Sequence, residues 1–384
     1  MKVQNLLKKL WSIIRILYEH VFLGLPALVC SLLTKPFIHD LWLIYEDGNH
    51  AQDNGYWFFK YVREQHPEQK TVFVINKKSQ DYNKVKCLGK TCGYRSFMHW
   101  YYYFVCSKDI STHPHYKPTR FKCLWINKTY FLQHGVIRDY VGYMAKDINL
   151  KLFITSAYEE DKFIKDNFGF KDGIVQLLGL ARHDNLLDYT VDPKQILIMP
   201  TWRNYISSMN NSEFVESDYY KHWAAVLNNP ELFKLLEERN MHVVFYPHRN
   251  MQKFVDVFEG NEKVIIADTK NYDIQTLLKE SALLITDYSS VFFDFAYMKK
   301  PVIWFHFDED TYWGTHHVRG YFKEENSPLG EKVTEVGQLI ATVKKNINNQ
   351  FVLDAKRIDG IENFFKYFDG KNCERNYNAI KEIK

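Results

Sequence analysis

Thr286, Asp287, Tyr288, Ser289 and Ser290 interrupt an otherwise apolar stretch in the C-terminal half of the chain. The strand-like run Leu283–Thr286 leads into them, and Val291–Met298 follows with apolar residues at helical spacing. Two serines at the start of a helix bring their hydroxyls and the unpaired N–H groups to one place. Such a place attracts an anion, phosphate above all. One serine could instead simply cap the helix. A cap explains one hydroxyl and leaves Thr286, Asp287 and the second serine unexplained, so both readings stand at this level. His134-Gly135 directly follows the apolar run Tyr130–Gln133, and Pro247-His248 follows Val243–Tyr246. An imidazole titrates near neutral pH and can take the proton of an attacking hydroxyl; a lone histidine there is ordinarily structural. Arg203, in Pro200-Thr201-Trp202-Arg203, and Arg319, in Arg319-Gly320-Tyr321-Phe322, could each grip a diphosphate with two hydrogen bonds. Thr201 could add a hydroxyl, and the alternative for both arginines is a surface salt bridge. Trp202 is read as core rather than as a platform for a base. Asp287 repels phosphate, so it orients the loop or meets a ligand hydroxyl.

These residues need strands and helices to hold them. Leu283–Thr286, the helix after Ser290, Lys299-Lys300-Pro301 and Val302–Phe307 make one strand–loop–helix–strand unit. Pro301 stops the helix, and cations suit its C-terminal end. In an open α/β sheet, ligands lie at the carboxyl ends of strands, where this loop falls. Further strands are expected at 41–45, 71–75, 108–111, 130–133, 152–155, 175–178, 196–199, 243–246 and 264–267. Asp53 and Asn54 open the helix before Gln65, and Ser156-Ala157-Tyr158-Glu159 reads as a capping box. The aromatic run Phe97–Val105 reads as core. Asn204–Ser217, rich in Ser and Asn, reads as a mobile loop. Alternating strands and helices predict two parallel-sheet, Rossmann-like domains. The expected divisions are an N-terminal segment (1–33), a first domain (34–190), a second domain (191–355) and a C-terminal helical segment (356–384).

Composition sets outer limits. The chain has 384 residues, 46% hydrophobic and 16% aromatic, enough to fill two cores and too apolar for disorder. A net charge of +4 without a long basic block fits an anionic ligand or a membrane surface and disfavours nucleic acid. Six cysteines lack Cys-x-x-Cys spacing, so neither a zinc ribbon nor a disulfide framework is expected, and a reducing cytoplasm fits. His113-Pro114-His115 and His316-His317 read as ordinary histidines, and Asp308-Glu309-Asp310 as a solvated acidic turn, so no essential metal is expected.

The ordered set of motifs resembles the CDP-glycerol glycerophosphotransferase family of teichoic-acid and capsule enzymes. It comprises His134-Gly135, Pro200-Thr201-Trp202-Arg203, Pro247-His248, Thr286-Asp287-Tyr288-Ser289-Ser290, Phe293-Asp294, Lys300-Pro301 and Arg319-Gly320-Tyr321-Phe322. Gly179-Leu180-Ala181-Arg182-His183-Asp184 resembles the family's Gly-x-x-Arg-x-Asp step. The likeness runs from about Leu41 to Phe322. It departs at Gln133-His134-Gly135-Val136-Ile137-Arg138, where the family often carries Trp-His-Gly-Thr-Pro-Leu-Lys.

The resemblance implies a two-domain, GT-B type fold with a cleft, and transfer of glycerol phosphate from CDP-glycerol to a hydroxyl, releasing CMP. It implies His134 as base and His248 at the leaving group. Thr201, Arg203, Thr286, Asp287, Ser289, Ser290 and Arg319 would serve the donor; Asp53, Asn54, Gly135 and Arg138 would lie on the acceptor side. The acceptor would be lipid-linked or polymeric, on the inner face of a bacterial membrane, with no cofactor beyond the donor. The alternatives are a nucleotide-sugar glycosyltransferase on the same fold and a non-catalytic polymer-binding protein.

Residues 1–33 combine Lys2, Lys8, Lys9 and Arg15 with Leu10, Trp11, Ile13, Ile14 and Leu17, followed by Val21–Leu33 with Gly24 and Pro26 inside it. The uninterrupted apolar run is short for a bilayer span. The pattern predicts an amphipathic helix lying in a membrane interface, or else one packed on the protein's own core.

Overall fold

The computed structural model describes residues 2–113, 115–119, 121, 129–142, 150–315 and 318–383; the side chains of 2–9 and of 314–315 lie outside the description. Pro114, Cys123, His316 and His317 lie outside the described residues.

The first sheet contains β1 (Trp42–Tyr45), β2 (Thr71–Val74), β3 (Thr91–Cys92), β4 (Lys108–Ser111), β5 (Thr129–Phe131), β6 (Leu150–Thr155) and β7 (Val175–Leu177). Its order is β3-β2-β1-β4-β5-β6-β7, with every pair parallel. The second contains β8 (Asp192–Met199), β9 (His242–Phe245), β10 (Val264–Ile266), β11 (Ser281–Thr286), β12 (Val302–Phe305) and β13 (Glu331–Val333). Its order is β10-β9-β8-β11-β12-β13, again all parallel. Parallel strands covered on both faces need apolar side chains throughout, and β1, β2, β11 and β12 are buried at every residue. In each sheet the winding direction reverses beside the first strand, at β1/β4 and at β8/β11. Such reversals open a crevice at the carboxyl ends of the strands.

One hydrophobic cluster joins the two sheets. It includes Trp42, Ile44 and Phe73 from the first half, Leu197, Val244 and Leu284 from the second, and Phe292, Phe293, Phe364 and Phe365 between them. The last helix, Asn372–Glu382, lies on the first half: the Tyr377 ring is 5.3 Å from that of Trp42, and the Cys373 N–H donates to Asp184 at 2.7 Å.

Several local expectations are revised. Asn204–Ser217 is not an irregular loop: it forms a 3-10 turn and a short helix, with Ile206 and Phe214 buried and Phe214 stacked on Phe254. The helix after β6 starts at Tyr158, and Glu160, not Glu159, receives the N–H groups of Ser156 and Ala157. Gly24 and Pro26 do not break the N-terminal helix. A six-residue π-helical turn, Glu19–Gly24, takes up the register that Pro26 would disturb. The result is one helical stretch, Leu10–Phe37, of a length and apolarity that could cross a membrane, with 22% of its most apolar window buried. Ala27 packs with Trp100 and Leu43, while Trp11, Ile14, Phe22, Leu32 and Leu33 face outward.

Candidate active site

Asp53 is the N-cap of the helix Asn54–Gln65, just beyond β1. One carboxylate oxygen meets Nδ1 of His134, and the other accepts from Arg182 Nη1 at 2.5 Å. Burial alone would raise the Asp53 pKa; His134 and Arg182 outweigh it and hold the carboxyl well below its usual range. Ionised Asp53 thus faces Nδ1 of a His134 side chain that is 69% exposed.

The His134 loop is clamped on both sides. Gln133 takes a positive φ of 62°, donates to Glu160 at 3.0 Å, and its carbonyl accepts from Asn54 at 2.8 Å. Beyond Gly135, the Ile137 N–H donates to the same Glu160 oxygen at 2.7 Å. The His113 ring lies 4.8 Å from that of His134; burial, and then the neighbouring imidazole, push its pKa down to about 4. Ligand atoms of Asp53, His113 and His134 lie within 4.8 Å of one another, a set that could hold a metal by type. The Arg182 guanidinium on Asp53 opposes a further cation there.

The second half presents its loop opposite. Asp287 is fully buried and accepts from the N–H groups of Thr201 at 2.8 Å and Tyr288 at 2.6 Å. It thus ties the loop after β11 to the loop after β8. Ser289 and Ser290 are partly exposed at the mouth of the helix Val291–Tyr297. The two halves meet at Gly135, where a Cβ would lie 3.4 Å from Ser290 Oγ and 3.2 Å from Arg182 Nη2. A Cβ here would be close but would need a shift of only a few tenths of an ångström in the Arg182 side chain. The Thr201 hydroxyl is buried with no hydrogen-bond partner among the described residues. His248, beyond β9, lies half-buried with its ring stacked on Trp202 at 6.3 Å.

Other expected contacts are replaced. Arg203 is fully buried, bonded to Asp308 at 2.8 and 3.0 Å, to Asp287 at 2.9 Å and to the Thr201 carbonyl at 2.7 Å. Its donors are consumed inside the protein, so it shapes the loop instead of meeting a diphosphate. Asp308 is correspondingly an ion-pair partner with its side chain 9% exposed, not part of a solvated turn. Thr286 donates to the Met199 carbonyl at 2.6 Å and is also internal. Arg319 is 41% exposed and pairs with Glu309 at 3.0 Å and with Glu324 and Glu325 at 3.7 Å. Asn54 and Arg138 are buried, so neither offers a face to an acceptor. Arg138 crosses to Glu324 at 2.9 Å and stays charged because Asp139 and Glu324 overcome its burial. A Cβ on Gly320 would come within 2.1 Å of the Arg138 carbonyl, so the Arg319-Gly320 motif serves to seat one half on the other. Trp202 is partly exposed at the core edge beside His248, not core.

Arg182 is the functional candidate that sequence reasoning passed over. Its motif was visible, but its partner Asp294 sits 112 residues away on the other half, and nothing local pairs them.

Residues 32–382 match the model of the CDP-glycerol:poly(glycerophosphate) glycerophosphotransferase family. The minor teichoic acid biosynthesis protein GgaB of Bacillus subtilis is 34% identical over 363 residues, 89% of this chain and 40% of that protein. The teichoic acid ribitol-phosphate polymerase TarL of Staphylococcus aureus is 25% identical over 241 residues, 58% of this chain and 40% of that protein. The chain thus spans about two fifths of the length of these curated relatives. A solved structure of the wall teichoic acid polymerase TagF aligns over 100% of this chain and 99% of its own, with TM-score 0.69 and 18% identity. A putative UDP-N-acetylglucosamine 2-epimerase from Listeria monocytogenes aligns over 89% of this chain and 96% of its own, with TM-score 0.57 and 12% identity. At those identities the two structures speak to the fold alone. The chain belongs to the CDP-glycerol:poly(glycerophosphate) glycerophosphotransferase family.

Proposed function

We propose that the protein transfers glycerol phosphate from CDP-glycerol to a hydroxyl of a lipid-linked or growing polymer in teichoic-acid or capsule synthesis. The observation that carries this reading is the approach of His134-Gly135 to Ser290 across the cleft. The donor diphosphate rests on Ser289 and Ser290, with the Thr201 hydroxyl and His248 beside it. The acceptor hydroxyl lies against His134. Its oxygen forms a bond to the β-phosphorus, its proton passes to Nε2, and the bond from that phosphorus to the bridging oxygen breaks. CMP leaves with the electron pair of that bond, and its new charge is met by His248 and the loop hydroxyls. Asp53 stabilises the imidazolium as it forms. The chain's own residues supply base and anion contacts, and the cleft supplies orientation.

The exposed apolar face of Leu10–Phe37 supports attachment to the inner face of the bacterial membrane, where a lipid-linked acceptor is presented. Replacing His134 by Ala tests the assignment: CMP release should vanish while CDP-glycerol binding survives. Equal loss of binding would remove His134 as base. Replacing Ser289 and Ser290 by Ala should weaken donor binding, and unchanged affinity would move the phosphate site elsewhere.

A further inference from the structure

We propose that Arg182 is a positioning residue that sets the distance between the base and the donor loop, acting through Asp294 on the opposite half. The inference rests on the transfer reading for its kinetic consequence, and on geometry alone for its structural one.

A single guanidinium serves both halves. Nη1 donates to Asp53 at 2.5 Å and to the backbone carbonyl of His134. Nε and Nη2 donate to the two oxygens of Asp294 at 2.9 and 3.0 Å. The Arg182 N–H is itself fixed by Asn54 at 2.9 Å, and that asparagine also holds the Gln133 carbonyl. Arg182 therefore grips the base twice: through its orienting carboxylate and through its own backbone.

On the far side, Asp294 lies in the helix Val291–Tyr297, one turn beyond Ser290. Residues four apart share a helix face, so fixing Asp294 fixes the height and rotation of Ser290. His183 adds a contact to Asp294 at 3.1 Å and stacks on Tyr297, 4.1 Å between rings. Arg182 and Asp294 are both buried, with side chains 8% and 4% exposed. A fork-to-carboxylate pair in that setting has one geometry, not a family of them. The contact distances close the loop: from the Cβ position of residue 135, Arg182 Nη2 is at 3.2 Å and Ser290 Oγ at 3.4 Å. A shift of about 1 Å in such alignment can cost about a hundredfold in rate, and Arg182 touches neither donor nor acceptor in the proposed site.

The test compares Arg182→Gln, Arg182→Lys, Asp294→Asn and Arg182→Gln/Asp294→Asn in the full chain. The expected result is a fall in kcat of about a hundredfold with the Kd for CDP-glycerol within about threefold. Lysine should restore little, because it keeps the charge and loses the fork. Asp294→Asn should reproduce the loss from the donor half, and the double variant should be no worse than the poorer single one. A readout independent of catalysis guards against poor folding and against an error in the transfer reading. Gly135→Cys/Ser290→Cys should oxidise to a cross-link, quantified by peptide mass spectrometry, and adding Arg182→Gln should reduce its yield at least tenfold. Equal cross-linking with and without Arg182 overturns the proposal, as does a loss of donor affinity as large as the loss of kcat. An active His134→Ala variant would overturn the transfer reading and leave the cross-linking result standing.

Discussion

Replacing Arg203 by Met removes a cation from between two carboxylates without changing side-chain length much. Arg203 and Asp287 are fully buried, and the Asp308 side chain is 9% exposed. Four hydrogen bonds of 2.7–3.0 Å are lost. Asp287 keeps the N–H groups of Thr201 and Tyr288 but loses its counter-charge. Removing one partner of a buried pair costs about 3–5 kcal/mol, because the other charge is left in a low dielectric. At about 2.1 cal/mol/K per residue, a cooperative unit of 384 residues shifts by about 1.2 °C per kcal/mol, so the midpoint of thermal unfolding should fall by roughly 4–6 °C. Circular dichroism of the unliganded protein measures this directly. Arg203→Met/Asp287→Asn should recover part of the loss, since the stranded charge is gone. A single variant that melts within about 2 °C of the parent, yet binds CDP-glycerol at least tenfold more weakly, would refute the internal role and return Arg203 to the donor surface.

Three further outcomes are expected. Burial, against its N–H donors, pushes the Glu160 carboxyl from its ordinary 4.5 up to about 7. Its contribution to stability is therefore full below pH 4.5 and is lost as pH rises through 7, by up to about 1.4 kcal/mol per pH unit. Glu160→Gln should flatten the decline in urea stability between those limits, and parallel curves for the two proteins would exclude this source. Gly320→Ala should cost about 1–3 kcal/mol by forcing backbone apart at Arg138; an unchanged urea midpoint would deny that the two segments are seated together. Trp11→Glu/Ile14→Glu should reduce co-sedimentation with anionic lipid vesicles several-fold while leaving the melting temperature in place, and undiminished pelleting would place the membrane contact elsewhere.

Long apolar runs made the strands legible. β1, β2, β11 and β12 are covered on both faces, so continuous hydrophobicity marked them without periodic signals. The two-residue β3 and the half-polar β13 carried no such mark. The places of His134, Gly135, Ser289 and Ser290 just beyond strands were legible because a glycine or a polar cluster ends an apolar run; the roles proposed for them came from the family resemblance, since a histidine or a serine there is ordinarily structural. Arg203, Arg138 and Thr286 were misread for one shared reason. A sequence shows which donors exist, but burial decides whether another part of the chain has already consumed them. Arg203 needed Asp308, over a hundred residues on, before its fate could be known. Pro26 deceived in the other direction. It announces a break, and only the π-helical turn before it shows how the helix continues.

The aromatic cluster shared by both sheets makes them thermodynamic tenants of one interior. Calorimetry should register a single endotherm, with no plateau in which one half persists after the other has melted. Severing the chain between β7 and β8 would bare Phe292 and Phe364 on the C-terminal fragment and Trp42, the partner of Tyr377, on the N-terminal one. Each fragment made separately should therefore collect in inclusion bodies, even though each contains a complete parallel sheet.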